Sequence, residues 1–143
     1  MEDFMIDLSQ PTNEEPRLSP DLEKMLQFIN MLWGSVIKVK EIHFNTHDNS
    51  THKLCDEIQE TLLDYIDEFG EVIQGFAGQR FGYGIMKPII PESADLEEIL
   101  RVLAAKSLQL EAYYSEPIYS GITTITNDFR RDVHKFNYLR TFN

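Results

Sequence analysis

The sequence predicts an all-α domain, a four-helix bundle in which one long connection separates the second helix from the third. Three observations predict it. Apolar residues recur at intervals of three and four over four separate stretches, the period of a helix with one buried face. A segment rich in Gly and Pro, residues 79–92, interrupts that pattern midway. The chain of 143 residues is 42% hydrophobic, which is enough for one domain with a real core and no disulfide or structural metal.

The elements follow in order. Residues 1–18 hold Pro11 and Pro16 among Glu2, Asp3, Asp7, Glu14 and Glu15 and read as an acidic, disordered tail, leaving 19–143 for the bundle. Ser19-Pro20 reads as an N-cap with proline at the first helical position. The first helix then runs to about His43, with Leu22, Met25, Leu26, Ile29, Leu32, Trp33 and Val36 on its apolar face. The polar run from Asn45 to Thr51 breaks it and offers several caps for the next helix. The second helix, from about Thr51 to Ala77, keeps Leu54, Ile58, Leu62, Tyr65, Ile66, Phe69, Val72, Ile73 and Phe76 on one arc and ends at Gly75 and Gly78.

Residues 79–92 contain two glycines and two prolines and cannot form one helix. Extended, the segment spans ~46 Å, enough to run the length of a bundle and start the third helix parallel to the second. Ser93 is the expected cap of that helix, which carries Leu96, Ile99, Leu100, Leu103, Leu108 and Leu110 and ends near Tyr113–Tyr114. A break at Ser115–Pro117 leads to the fourth helix, with Ile118, Ile122, Ile125, Phe129, Val133, Phe136 and Leu139 in register. Four helices with one long crossover in the middle is the ferritin-like arrangement. Trp33, Tyr65 and the phenylalanines are expected in the core, and Cys55 is expected to be a small buried residue.

Composition narrows function. Lys and Arg number 13 against 24 Asp and Glu, a net charge of −11 that repels phosphate backbones, so nucleic acid is an unexpected partner. The apolar stretches fall far short of the ~20 residues of a membrane span. The acidic start lacks a signal peptide's basic region, and the single cysteine fits a reducing compartment. A cytoplasmic protein is expected.

The second helix carries His52, Asp56, Asp67 and Glu71 on a face turned well over 100° from its apolar arc. His52 and Asp56 share one turn; Asp67 and Glu71 share another, ~16–28 Å further along, so no single ion reaches both pairs. Two copies crossing antiparallel about a two-fold axis near Glu60 to Leu63 would lay the first pair of one chain over the second pair of the other. A metal site that exists only in a dimer is therefore expected.

His52-x3-Asp56-x10-Asp67-x3-Glu71, preceded by His43-Phe44-Asn45, resembles the signature of the Dps-type mini-ferritins, which has His-Trp-Asn and then His, Asp, Asp and Glu at the same spacings in the second helix. Asp132 to Leu139 is similar to the segment that closes that fold. The chain departs from the family in that His52 follows His43 by nine positions where the family has twelve, and in Phe44 where the family has Trp. The resemblance implies an iron ferroxidase or storage subunit with a mono- or di-iron site shared across a two-fold interface. His43, His52 and Asp56 would come from one subunit and Asp67 and Glu71 from its partner, with Zn able to substitute for Fe. It also implies a homo-oligomer, a dimer at least and a cage at most. One imidazole or two with several carboxylates give the mixed N/O coordination that suits Fe(II).

Other readings compete. His43 lies near the apolar face of its helix and also reads as a boundary histidine, His47 is an alternative ligand in the connection, and His134 reads as a surface residue. The acidic face would equally serve a non-enzymatic assembly protein of ferritin-like fold, viral or bacterial. Asp56-Glu57-x-x-Glu60 with Asp64-x-x-Asp67 faintly resembles the Mg2+-binding carboxylates of MazG-type nucleotide pyrophosphatases. No Glu-x-x-His, HExxH, phosphate-binding glycine loop or serine elbow occurs.

Overall fold

The structure, a computed structural model, describes residues 18–142. The acidic tail expected over residues 1–18 lies outside them except for Leu18, which packs against the core. Every regular element among the described residues is helical: α1 (Pro20–Asn45), α2 (Asn49–Ala77), α3 (Leu96–Tyr113), a single 3-10 turn (Pro117–Tyr119) and α4 (Ser120–Leu139). None of these helices is long and apolar enough to cross a membrane.

Local chemistry sets the ends. Ser19 Oγ accepts the Leu22 N–H, with Pro20 behind it at the first helical position. Asp48, not a residue nearer Thr51, caps α2, so the helix begins at Asn49 and the break is only Thr46–Asp48. Its Oδ2 accepts both the backbone N–H and the hydroxyl of Thr51, at 3.2 and 2.6 Å. Gly78 ends α2 in the left-handed region at φ 64°, where a side chain would be strained. The cap of α3 is Asp95 and not Ser93. Ser93 Oγ instead accepts the Asp95 N–H at 3.1 Å and so holds the capping residue in place.

The helix directions follow from contacts at their ends. The Ser19 N–H donates to Gln79 just past α2, so α1 and α2 run antiparallel. The Tyr114 hydroxyl at the end of α3 donates to the Asp21 carbonyl at the start of α1, and Arg140 at the end of α4 pairs with Glu97 at the start of α3 at 3.2 Å. Phe76 in the last turn of α2 meets Tyr119 at the entry to α4. Each helix is therefore antiparallel to both neighbours, with α2 parallel to α3. Residues 78–95 cover the distance between them without a helix.

That crossover is strapped to α1. The buried side chain of Asn30 accepts the Lys87 N–H at 3.1 Å, and its carbonyl accepts the Ile89 N–H at 2.9 Å. One turn on, Gly34 lets the Ile89–Ile90 backbone lie against the helix. A Cβ there would sit 1.7 Å from the Ile89 carbonyl oxygen.

The core is centred on Phe28 of α1, Tyr65 and Phe69 of α2 and Phe129 of α4. The rings meet edge to face, with Phe28–Phe129 at 5.6 Å and Tyr65–Phe129 at 5.1 Å. Leu100, Leu103 and Leu110 supply the α3 side, and Cys55 is fully buried as expected. Some residues expected inside are not. Phe44, Phe76, Phe142, Leu108 and Ile118 are exposed, and Val72 and Trp33 are only partly covered. Phe44, Phe76 and Phe142 lie at or beyond helix ends, where fewer neighbouring helices remain to cover them. Ile118 lies in the 3-10 turn, out of register with α4, and Leu108 lies off the α3 face that carries Leu103, Ser107 and Leu110.

Asp21 gathers the lower end of the bundle. Its carboxylate accepts the Tyr119 hydroxyl at 2.7 Å. That hydrogen bond, helped by burial and by the Asp21 charge, pushes the phenol up to about 12. Below its ordinary value of about 10, Tyr119 keeps its proton folded or unfolded. Between there and about 12 only the unfolded chain gives it up, so this contribution to stability is lost as pH rises through that window. Urea midpoints are expected to fall from pH 10 to 12, and Tyr119→Phe is expected to flatten part of that slope. Tyr65 and Tyr114, also raised by burial, add to that slope.

Candidate metal centre

The three-residue connection Thr46–Asp48 lays the last turn of α1 against the first turn of α2, and two imidazoles meet there. The rings of His43 and His52 stack 3.8 Å apart at 26°. Each Nδ1 lies 3.1 Å from the backbone carbonyl of the other residue. A carbonyl only accepts, so both Nδ1 atoms carry the proton, and in the neutral rings Nε2 keeps its lone pair. The His43 carbonyl is one of the acceptors a helix end leaves unpaired, and His52 satisfies it.

Asp56, one turn beyond His52, completes the cluster. Its Oδ1 lies 3.4 Å from His43 Nδ1, which is thereby shared between a carbonyl and a carboxylate. His43 is largely buried, its side chain 11% exposed, whereas His52 and Asp56 open to solvent. Ligand atoms from the three residues lie within 4.8 Å of one another. They could hold a metal ion. Ligands on one tetrahedral ion at ~2.1 Å are ~3.4 Å apart, so capture would draw them slightly together.

The chemistry of the set suits that task. Ligating histidines commonly donate their other ring nitrogen to a carbonyl or carboxylate, which fixes the ring and raises its basicity. Both imidazoles already have that support. Two nitrogens and one carboxylate fit a borderline divalent ion such as Fe(II) or Zn(II) and leave coordination positions open.

Asp67 and Glu71 are exposed on α2 and stand apart from this cluster within one chain. Glu71 lines an open hollow with Gln74 and Arg80 at the opposite end of the helix. The three-ligand group named above is the one such group among the described residues, and Glu57, Glu60 and Asp64 take no part in it. His47 is exposed in the connection and shares a shallow depression with His52, but lies outside the cluster, as does His134 on α4.

Cys55 lies beside Asp56 on the inward side. Burial, and then the Asp56 charge, push its thiol up to about 11, and it lies outside the three-ligand group. The sequence flagged all three members of the cluster but not the stacking or the exchanged hydrogen bonds. The available signal was the nine-residue spacing, which places both rings at one tight corner.

No protein-family model and no solved structure matches the chain. A protein of Enterobacteria phage T4, described as an uncharacterized 14.6 kDa protein in the mobD–ri intergenic region, is 28% identical to it over 107 residues. The similarity covers 72% of this chain and 80% of the phage protein.

Proposed function

We propose that the chain is a ferritin-like, iron-binding subunit whose centre is completed by a second copy, and that it oxidises Fe(II). The observation that carries this reading is the His43–His52–Asp56 cluster, with both imidazoles oriented by backbone carbonyls and one side open to solvent. Two further features support it. The helix order, with antiparallel neighbours and one crossover running the bundle's length, is that of ferritin-like proteins. Asp67 and Glu71 are exposed on the helix that bears His52, free to meet the cluster of a partner across a two-fold axis.

In this reading Fe(II) is the substrate. His43 and His52 bind it as neutral imidazoles, and the bonds from their Nδ1–H groups stop the rings from turning away. Asp56, joined by the partner's carboxylates, offsets the cation's charge and favours Fe(III) over Fe(II). The electron lost by the iron passes to dioxygen or peroxide.

The test is Fe(II) oxidation by the assembled protein together with light scattering. A dimer or larger assembly is expected. His52→Ala and Glu71→Ala should each lower the rate by about tenfold or more, the scale on which lost ligands and their supports act. A monomer with and without Fe(II), or oxidation no faster than in buffer, contradicts the reading.

One observation favours a second reading, a non-enzymatic assembly protein. The exchanged histidine bonds by themselves fasten the α1–α2 corner, as a purely structural pair would. A ligand that binds only the folded state raises the unfolding temperature. Zn(II) should therefore raise it under the first reading and leave it unchanged under the second.

A further inference from the structure

Where the crossover passes from α1 to α3 it borders a hollow. Met31 and Ser35, one turn apart on α1, form one wall, and Ile99, Val102 and Leu103 of α3 form the other. Ile89 of the crossover adds a third side, held in place by its bond to the Asn30 carbonyl and by the close approach at Gly34. The space measures about 340 Å³, within the ~300–1,000 Å³ of small-molecule sites, which are likewise mostly apolar and largely preformed. It shares no residue with the candidate metal centre.

Two polar groups mark its inner and outer parts. Ser35 is 2% exposed, and its hydroxyl makes no hydrogen bond among the described residues, not even to the carbonyl one turn back that a helical serine commonly uses. A buried hydroxyl left unpaired costs free energy that a bound atom can recover. At the rim, Glu92 is exposed and has no cation within ion-pair distance among the described residues. Glu98, also bordering the hollow, is taken up by Arg101, which donates to both of its oxygens at 2.6 and 3.2 Å. The hollow therefore offers a neutral hydroxyl inside, apolar walls, and one uncompensated negative charge at its edge.

We propose that this hollow binds a small organic cation, with an apolar ring-sized body between α1 and α3, a hydroxyl or carbonyl on Ser35 and an ammonium on Glu92. The apolar walls supply most of the affinity, Ser35 orients the inner end, and Glu92 selects the sign of the charge. An anionic ligand of the same shape meets the Glu92 carboxylate and the field of a chain with net charge −11. The site is independent of iron binding at the α1–α2 corner.

Tyramine, whose phenol and ammonium stand at opposite ends of one ring, is the probe, titrated into the full chain and followed by NMR of labelled Ile, Leu and Val methyl groups. Saturable shifts are expected at Ile89, Ile99, Val102 and Leu103. Para-ethylphenol, which lacks the ammonium, and phenethylamine, which lacks the hydroxyl, should each bind about twofold to fivefold more weakly, and para-hydroxyphenylpropionate more weakly still. Glu92→Gln, at an exposed position where folding is not in question, should weaken tyramine by about twofold to fivefold and leave para-ethylphenol unchanged. Ser35→Ala should weaken tyramine and leave phenethylamine unchanged. Val102→Phe fills the hollow and should abolish the shifts with every probe. Shifts that do not saturate by about 10 mM tyramine, saturable shifts confined to other parts of the bundle, or equal affinity for the ammonium and carboxylate probes would overturn the proposal.

Discussion

Gly34→Ala is expected to destabilise the protein by about 2–4 kcal/mol, although alanine is the better helix former by about 1 kcal/mol. The reason is the Ile89 carbonyl, which leaves no room for a methyl group. The oxygen would lie 1.7 Å and the carbonyl carbon 2.1 Å from the new Cβ, and both are backbone atoms that cannot rotate away. The crossover would have to lift off α1. That would break the hydrogen bond from Ile89 to the Asn30 carbonyl and strain the one from Lys87 to its side chain. Urea unfolding measures the loss. An alanine variant as stable as the parent would mean that the crossover does not lie on α1.

Phe129→Ala is expected to cost about 3–5 kcal/mol, the usual range for removing a buried aromatic ring and leaving a cavity. Phe129 is fully buried and meets Phe28, Tyr65 and Phe69, so one truncation removes edge-to-face contacts to α1 and α2 together. Collapse around the hole is opposed because Tyr65 is held by its hydroxyl, which donates to Asp132 at 2.5 Å. Phe136→Ala, near the end of the same helix and 7% exposed, should cost less. Equal losses at the two positions would contradict a core centred on the aromatic cluster.

The sequence makes some of this legible and hides the rest for physical reasons. Helix starts and stops carried by local signals, Ser19-Pro20 and Gly78, lie where the pattern places them. Where two capping residues compete within three positions, as Ser93 and Asp95 do, the choice depends on how the incoming chain is held, and periodicity does not record that. Gly34 looks like a weak point in a helix when read locally. Its role appears only when a segment 55 positions later is laid across it. Helix-end phenylalanines such as Phe76 fit the apolar period, but the period does not say whether a neighbouring helix extends that far. The residues of the candidate metal centre are legible as types and spacings. The His43–His52 stack depends on the shape of a three-residue turn, and Asp67 and Glu71 stand apart from that cluster within one chain.

A purified heterodimer of His52→Ala and Glu71→Ala chains tests the shared centre most directly. If His52 and Asp56 of one chain meet Asp67 and Glu71 of the other, this pairing places both defects in one site and leaves the second site whole. Fe(II) oxidation should then return to about half the wild-type rate, with each mutant homodimer expected to be nearly inactive. A heterodimer no more active than its parents would contradict a centre shared between two chains. Full activity in both homodimers would show that these residues do not bind iron at all.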